Sequence, residues 1–323
     1  MKVLLLGASG LLGHNVLRRL MAEGHEVTAL VRRSDGIRLP YGGWHTVAGS
    51  PLDYATLCRA ADGCEAVVNC AGTTDMSLPD LESYMPMNRD LCGLVVRLME
   101  ESDIRVFVHT STVNTIGYGS KGNPADEEAP MQPPFEGSYY VDSKAAGEKV
   151  VIGAARRHAD WHVVVVNPGF MIGAYDAKPS SGRLLLAGFR RRLMVAPSGG
   201  KAFVAVEDVA QAVVAALTKG NNGGRYIVAN NRGCIGIAQL YRMQARVMGY
   251  RQHVMTVPDW LLSVAGKVGD GLRFMGLGTG LSTLNVRQLM VHEYYDNRRG
   301  REELQFAETP IEQAILEFHK WRE

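Results

Sequence analysis

Tyr140 and Lys144 carry the clearest chemistry in this chain, within the stretch Tyr140-Val141-Asp142-Ser143-Lys144. On a helix, residues four apart share a face, so the phenol and the ammonium are neighbours. A free tyrosine, with a pKa of about 10, is a poor acid or base near neutrality. An adjacent ammonium favours the phenolate and is expected to lower that value, which makes the pair a general acid/base near working pH. The competing reading is an exposed Tyr and Lys on an amphipathic helix. The second chemical feature is Gly7-Ala8-Ser9-Gly10-Leu11-Leu12-Gly13. It follows the apolar run Val3-Leu4-Leu5-Leu6 and opens a segment with helical spacing at Leu12, Val16, Leu17 and Leu20. Strand, glycine turn and helix form the setting of a dinucleotide-binding loop. Glycines allow a tight turn and close approach of a pyrophosphate to backbone N–H groups, and the helix N-terminus adds partial positive charge. The expected contacts run through Gly7, Ser9, Gly10, Leu11, Leu12 and Gly13. A tight turn with no ligand is the alternative.

The elements that must hold these residues alternate regularly. Strands are expected at Glu26–Val31, Thr46–Ala48, Glu65–Cys70, Arg105–His109 and Trp161–Val166. Helices are expected between them, one over about Leu81–Ser102 bent or restarted at Pro86, and one over about Ser138–His158. This predicts an α/β fold with a doubly wound parallel sheet, the Rossmann arrangement, followed by a smaller α+β domain. The expected division is 1–170 for dinucleotide binding, with 203–229 returning to it, and 171–323 mainly for substrate. Such sheets bind ligands beyond the carboxyl ends of their strands. The glycine loop, Ala71-Gly72, Ser111-Thr112 and Asn167-Pro168-Gly169 all fall at such ends. Further on, Phe203–Val206 reads as a strand, Pro258–Met275 as a helix, and Thr309-Pro310-Ile311-Glu312 as a capping box opening the last helix.

Composition narrows the partners. The 323 residues carry a formal charge of +2, which gives no strong overall pull toward nucleic acid or an acidic membrane. Cys58, Cys64, Cys70, Cys92 and Cys234 form no C-x-x-C pair and read as reduced thiols of a cytoplasmic protein. The apolar N-terminus reads as the first strand rather than a leader, since Gly7, Gly10 and Gly13 interrupt it. No apolar run is long enough to span a bilayer. His14, His109 and His292 lack metal-ligand spacing, so no metal is expected. Trp260 with Leu261, Leu262, Val264 and Val268 is expected on a core-facing or lid helix, a membrane-touching or partner-facing surface being the alternative. Arg190-Arg191-Arg192 is expected at a solvated helix end, with a substrate phosphate or nucleotide-sugar diphosphate site as the alternative.

Taken together, the glycine loop, Thr110-Ser111-Thr112, Tyr140-x-x-Ser143-Lys144 with Glu148, and Phe203-Val204-Ala205-Val206-Glu207-Asp208-Val209 resemble the extended short-chain dehydrogenase/reductases, the NAD-dependent epimerase/dehydratase family. The dihydroflavonol-reductase-like reductases and related bacterial sugar epimerases are the most similar branch. The resemblance implies that Thr112, or its neighbour Ser111, polarises the substrate oxygen and that Lys144 also holds the nicotinamide ribose. It implies that Cys70, Ala71, Gly72 and Thr110 run along the cofactor and that Pro168, between Asn167 and Gly169, packs near the nicotinamide. It sets Leu52 and Asp53 near the adenine, although Asp53 could equally be only a helix cap. Asn88 matches a family asparagine, but Leu91 replaces the glycine usual three positions later. A homodimer through the helices around Asn88 and Tyr140 is a further implication.

An NAD site usually carries an acid after the second strand, whereas this chain has Arg32-Arg33. An arginine there can pair with a 2′-phosphate, so NADP(H) is expected over NAD(H), a solvated basic turn being the alternative. The leading function is reduction of a small-molecule ketone or aldehyde, or the reverse oxidation of an alcohol. The runner-up is an NAD-dependent nucleotide-sugar epimerase. A dehydratase is disfavoured because Val113-Asn114 replaces that branch's Asp-Glu pair, and a non-catalytic dinucleotide sensor because Tyr140 and Lys144 are both present.

Overall fold

A computed structural model describes residues 1–32, 43–75, 78–177, 179–230, 232–275 and 282–323. The first half alternates strand and helix: β1 (Lys2–Leu6), α1 (Leu11–Ala22), β2 (Glu26–Val31), β3 (Trp44–Ala48), α2 (Tyr54–Ala61), β4 (Ala66–Asn69), α3 (Leu91–Glu100), β5 (Val106–Thr110), α4 (Tyr139–Arg157) and β6 (His162–Pro168). Pro86 opens a π-helical stretch, Pro86–Asp90, that runs straight into α3, so the expected restart is there. The second half contributes β7 (Phe170–Ile172), α5 (Gly182–Gly188), β8 (Leu193–Ala196), β9 (Gly200–Ala205), α6 (Val206–Ala215), β10 (Gly224–Val228), β11 (Cys234–Gly236), α7 (Ile237–Val247), β12 (His253–Thr256), α8 (Asp259–Phe274), α9 (Thr283–Met290), α10 (Arg298–Leu304) and α11 (Ile311–Arg322).

Seven strands pair in the order β10-β6-β5-β4-β1-β2-β3, every neighbouring pair parallel. Successive side chains point to opposite faces and both faces are covered, which is why the apolar runs are continuous. Val3 and Leu5 of β1 pack with Val16 of α1 and Val209 and Val213 of α6 on one face. Leu4 and Leu6 pack with Val95 of α3 and Val151 of α4 on the other. Each such buried side chain contributes roughly 1.5–3 kcal/mol. That outweighs the roughly 1 kcal/mol forgone at the start of α1, where Gly10 offers no capping side chain.

The stretch 203–229 is divided. Helix α6 packs against α1 and β10 extends the main sheet beside β6, whereas β9 pairs with β7 and β11 in a separate three-stranded sheet. Phe203 and Ala205 pack with Leu185, Leu240 and Phe318 in a second core. Two expectations are corrected. Thr309 makes no capping box: its hydroxyl donates to buried Asp208 at 2.6 Å, and Pro310 occupies the position before α11. Trp260 is not core-facing, being 68% exposed, because α8 packs on α9 through its other side. Arg190, Arg191 and Arg192 are exposed after α5, as expected.

Candidate active site

The chain turns one way from β1 to β2 and the other way to β4, so the loops after β1 and β4 part at a crevice. Gly7 lies there with φ +84°, and a Cβ on it would sit 2.6 Å from the Ala71 nitrogen. Gly13 faces the same loop, and a Cβ on it would sit 2.1 Å from the Gly7 carbonyl oxygen. Ser9 and Gly10 are exposed, Leu11 is half-buried, and the Leu12 side chain points into the core, which leaves Leu12 only its backbone for a ligand. The first turn of α1 has neither a capping side chain nor an acid. Although the Gly10 N–H is bonded to the Gly7 carbonyl at 3.0 Å, the glycine clearance and the unopposed helix dipole fit a pyrophosphate.

Beside this loop, Ala71 donates its N–H to the Oδ1 of fully buried Asn69 at 2.9 Å. Gly72 is exposed, and a Cβ on it would lie 3.1 Å from Asn88 Oδ1 and 3.7 Å from Lys144 Nζ. Asn88 locks this strand end to α4. It accepts from Thr73 N at 2.8 Å, donates to Thr73 O at 3.0 Å and donates to Ser143 Oγ at 2.9 Å. Gly147 is required one turn further on, since a Cβ there would meet the Asn88 carbonyl oxygen at 2.1 Å.

Lys144 is buried and donates to the Thr110 carbonyl at 2.6 Å. Burial lowers its pKa, opposed by nearby Cys92, Glu148 and Cys70. The expected lowering of Tyr140 by Lys144 is corrected. The Tyr140 phenol is pushed up to about 12, first by burial and further by Tyr84, whose ring centroid is 6.4 Å away, while a hydrogen bond with Thr112 acts in the opposite direction. The ammonium is turned to Thr110, so desolvation wins and the phenol holds its proton near neutrality.

Thr112 lies two residues past β5 and caps the short 3₁₀ turn Val113–Thr115, accepting from Asn114 N at 3.3 Å. Ser111 Oγ is buried with no hydrogen-bond partner among the described residues. Thr110 Oγ1 donates to Cys70 Sγ at 3.6 Å, and burial pushes the Cys70 thiol up to about 12, so it is inert. Asn167 is fully buried and its amide nitrogen is spent on Thr112 O at 3.1 Å, Thr115 Oγ1 at 3.2 Å and Glu148 Oε1 at 2.7 Å. It therefore braces the Thr112 turn. Pro168 is the last residue of β6. Gly169 answers to packing, because a Cβ there would lie 2.2 Å from the Ala202 carbonyl oxygen. Arg32 is exposed just after β2, and Arg33 lies outside the described residues. Leu52 and Asp53 are exposed, and Asp53 accepts from Thr56 Oγ1 at 2.5 Å at the start of α2, a bond that lowers its pKa.

The structure thus brings the glycine loop, Cys70–Gly72, Thr110–Thr112, Tyr140 and Lys144 together. Tyr84 was missed by sequence reasoning. Its four-residue spacing from Asn88, on the helical run facing α4, was the signal available. Glu148, seen only as a family match, anchors Thr115, Asn167 and Arg225.

Two histidines near the site are held neutral. Burial, then Arg18, lowers His14 to about 4, and burial, then Lys144, holds His109 well below 6.5. Below pH 6.5 the unfolded chain binds these protons and the folded chain does not. Their contribution to stability should therefore be lost as pH falls below about 6.5, while the raised carboxyls of Glu207, Asp208 and Glu293 act in the opposite direction. Urea midpoints of wild type and His14→Gln at successive pH values test this, and a difference between the two proteins that does not change between about pH 7 and pH 5 would contradict it.

The relatives point the same way. The profile of the NAD dependent epimerase/dehydratase family matches residues 3–229. Sterol demethylase protein B of Methylococcus capsulatus is 29% identical over 99% of this chain and 98% of its own. The 4-hydroxy-2-methyl-3-oxo-4-farnesyl-3,4-dihydroquinoline-1-oxide ketoreductase of Stigmatella aurantiaca is 26% identical over 84% of this chain and 80% of its own. The crystal structure of UDP-glucose 4-epimerase from Thermotoga maritima superposes with a TM-score of 0.79 over 100% of this chain and 98% of its own; at 18% identity the likeness is one of fold. Relatives and cleft agree: the chain belongs to the NAD-dependent epimerase/dehydratase family and is an NAD(P)-dependent enzyme of the short-chain dehydrogenase/reductase type.

Proposed function

We propose that the protein is an NADP(H)-dependent oxidoreductase that reduces a ketone or aldehyde of a small molecule. The observation that carries this reading is the placement of Lys144, bonded to the Thr110 carbonyl, beside Gly72 and one helical turn from Tyr140, next to a glycine cradle that fits a pyrophosphate. A bound nicotinamide dinucleotide supplies the hydride. Tyr140, kept as the phenol by burial, has a proton to give to the substrate oxygen. Thr112 and the unpartnered Ser111 hydroxyl are the groups to orient and polarise that oxygen. Lys144, anchored on the Thr110 carbonyl near Gly72, is the group to hold ribose hydroxyls. The exposed Arg32 supports the phosphorylated cofactor, since a guanidinium suits a 2′-phosphate better than a ribose diol. The ketoreductase name of the Stigmatella relative supports the carbonyl-reducing direction.

Thermal-shift titration separates the cofactors. A tenfold preference for NADPH corresponds to about 1.4 kcal/mol more stabilisation than NADH gives at equal saturating concentration. Consumption of NADPH with a panel of ketones and aldehydes then tests the reaction. Greater stabilisation by NADH would reject the NADP(H) reading. A purified protein that carries NAD and interconverts a nucleotide sugar without net consumption would make it an epimerase.

A further inference from the structure

Helix α8 turns an apolar face to the solvent. Its small residues Gly266 and Gly269 are buried, and a Cβ on Gly266 would meet the Thr283 backbone at 3.0 Å, so that side lies against α9. Trp260, Leu261, Val264 and Val268 recur at helical spacing on the other side and are 45–68% exposed. The apolar surface continues beyond the helix. Strands β8 and β12 pair with Val195 beside Met255, and Leu193, Val195 and Met255 are each more than half exposed. Val257 N donates to Ala196 O at 2.9 Å and Ser198 Oγ bonds Asp259, so α8 begins beside the end of this two-stranded ribbon.

Cations border the surface. Arg190, Arg191 and Arg192 lead into β8, Arg251 precedes β12 and Lys267 adjoins Val268, all exposed. None of the five belongs to an ion pair among the described residues. Across residues 181–199 and 241–275 the only acids are Asp259 and Asp270. Both are engaged, Asp259 by Ser198 and Asp270 by the Thr283 N–H. A Trp-bearing apolar face bordered by uncompensated guanidinium groups is complementary to an anionic headgroup layer. Apolar contact with a second copy would leave those cations unpaired. No helix among the described residues is long and apolar enough to cross a membrane, so contact is with the surface.

We propose that α8 and the β8–β12 ribbon seat the protein on a lipid surface carrying anionic headgroups, with Trp260 entering the interface. The full chain is floated with phosphatidylcholine vesicles, with and without phosphatidylglycerol, and tryptophan emission is recorded. The wild-type protein should rise with the anionic vesicles, less so at high salt, and its emission should shift to the blue. Trp260→Phe should still bind but lose most of the shift. Val264→Asp with Val268→Asp should stay unbound while keeping the wild-type melting curve. Arg191→Glu with Arg192→Glu should weaken binding roughly tenfold or more. Wild-type protein that floats with neither vesicle, or equally with both, overturns the proposal. So does a dimer in sedimentation velocity that the Val264/Val268 variant dissolves, since a second copy then covers this face.

Discussion

Tyr140→Phe should lower kcat by roughly 10²- to 10⁴-fold, the usual share of a positioned general acid, while leaving cofactor affinity close to wild type. The substitution removes one hydroxyl from a partly buried ring and leaves the Lys144 bond to Thr110 in place. Its effect should therefore fall on proton transfer rather than on binding. Lys144→Ala differs, since it removes the group beside Gly72 and should weaken the cofactor as well as turnover. The pH profile adds a readout that a structural role would not move. With the phenol at about 12, the reductive direction needs the form already present near neutrality and should be flat there. The oxidative direction needs the phenolate, so its rate should climb about tenfold per pH unit on the alkaline side until the phenol titrates. Full activity in Tyr140→Phe, or identical profiles in both directions, would remove Tyr140 from the acid/base role.

Gly13→Ala should destabilise the protein by about 1–3 kcal/mol or more and abolish dinucleotide binding with it. Its Cβ would lie 2.1 Å from the Gly7 carbonyl oxygen and 2.6 Å from the carbonyl carbon. Both atoms are backbone, so no side chain can swing aside, and relief requires moving the loop off the end of β1. Gly10→Ala separates the fold from the ligand. A Cβ there meets only the Gly7 oxygen, at 3.4 Å, and φ is −85°, so the loss of stability should stay below roughly 1 kcal/mol. If the pyrophosphate rests on this turn, Gly10→Ala should still cost cofactor affinity. Melting curves with and without NADPH read both effects. Wild-type stability in Gly13→Ala would contradict the packing, and unchanged affinity in Gly10→Ala would move the pyrophosphate away from that residue.

Much of the fold was legible because it rests on local patterns. Val3–Leu6 and Val163–Val166 are apolar without interruption because both faces of a parallel sheet are covered, and that pattern survives in one dimension. The helix restart at Pro86 follows from the missing N–H of proline. The capping box at Thr309 failed because Asp208, about a hundred residues earlier in the chain, offered a buried acceptor that local spacing cannot register.

The sequence by itself determined the strand–glycine–helix opening, the parallel sheet and the four-residue spacing of Tyr140 and Lys144, since these depend on residue type and period. Only the tertiary structure decided what those groups do electrostatically. It turned Lys144 onto Thr110, brought Tyr84 up to Tyr140 and left the phenol protonated, because desolvation depends on neighbours remote in sequence. It likewise decided that Asn167 braces the Thr112 turn, that Gly169 serves packing, and that the apolar stripe at Trp260 faces outward. A helical period shows that one face is apolar; which side of the molecule that face meets is set by what packs against the other.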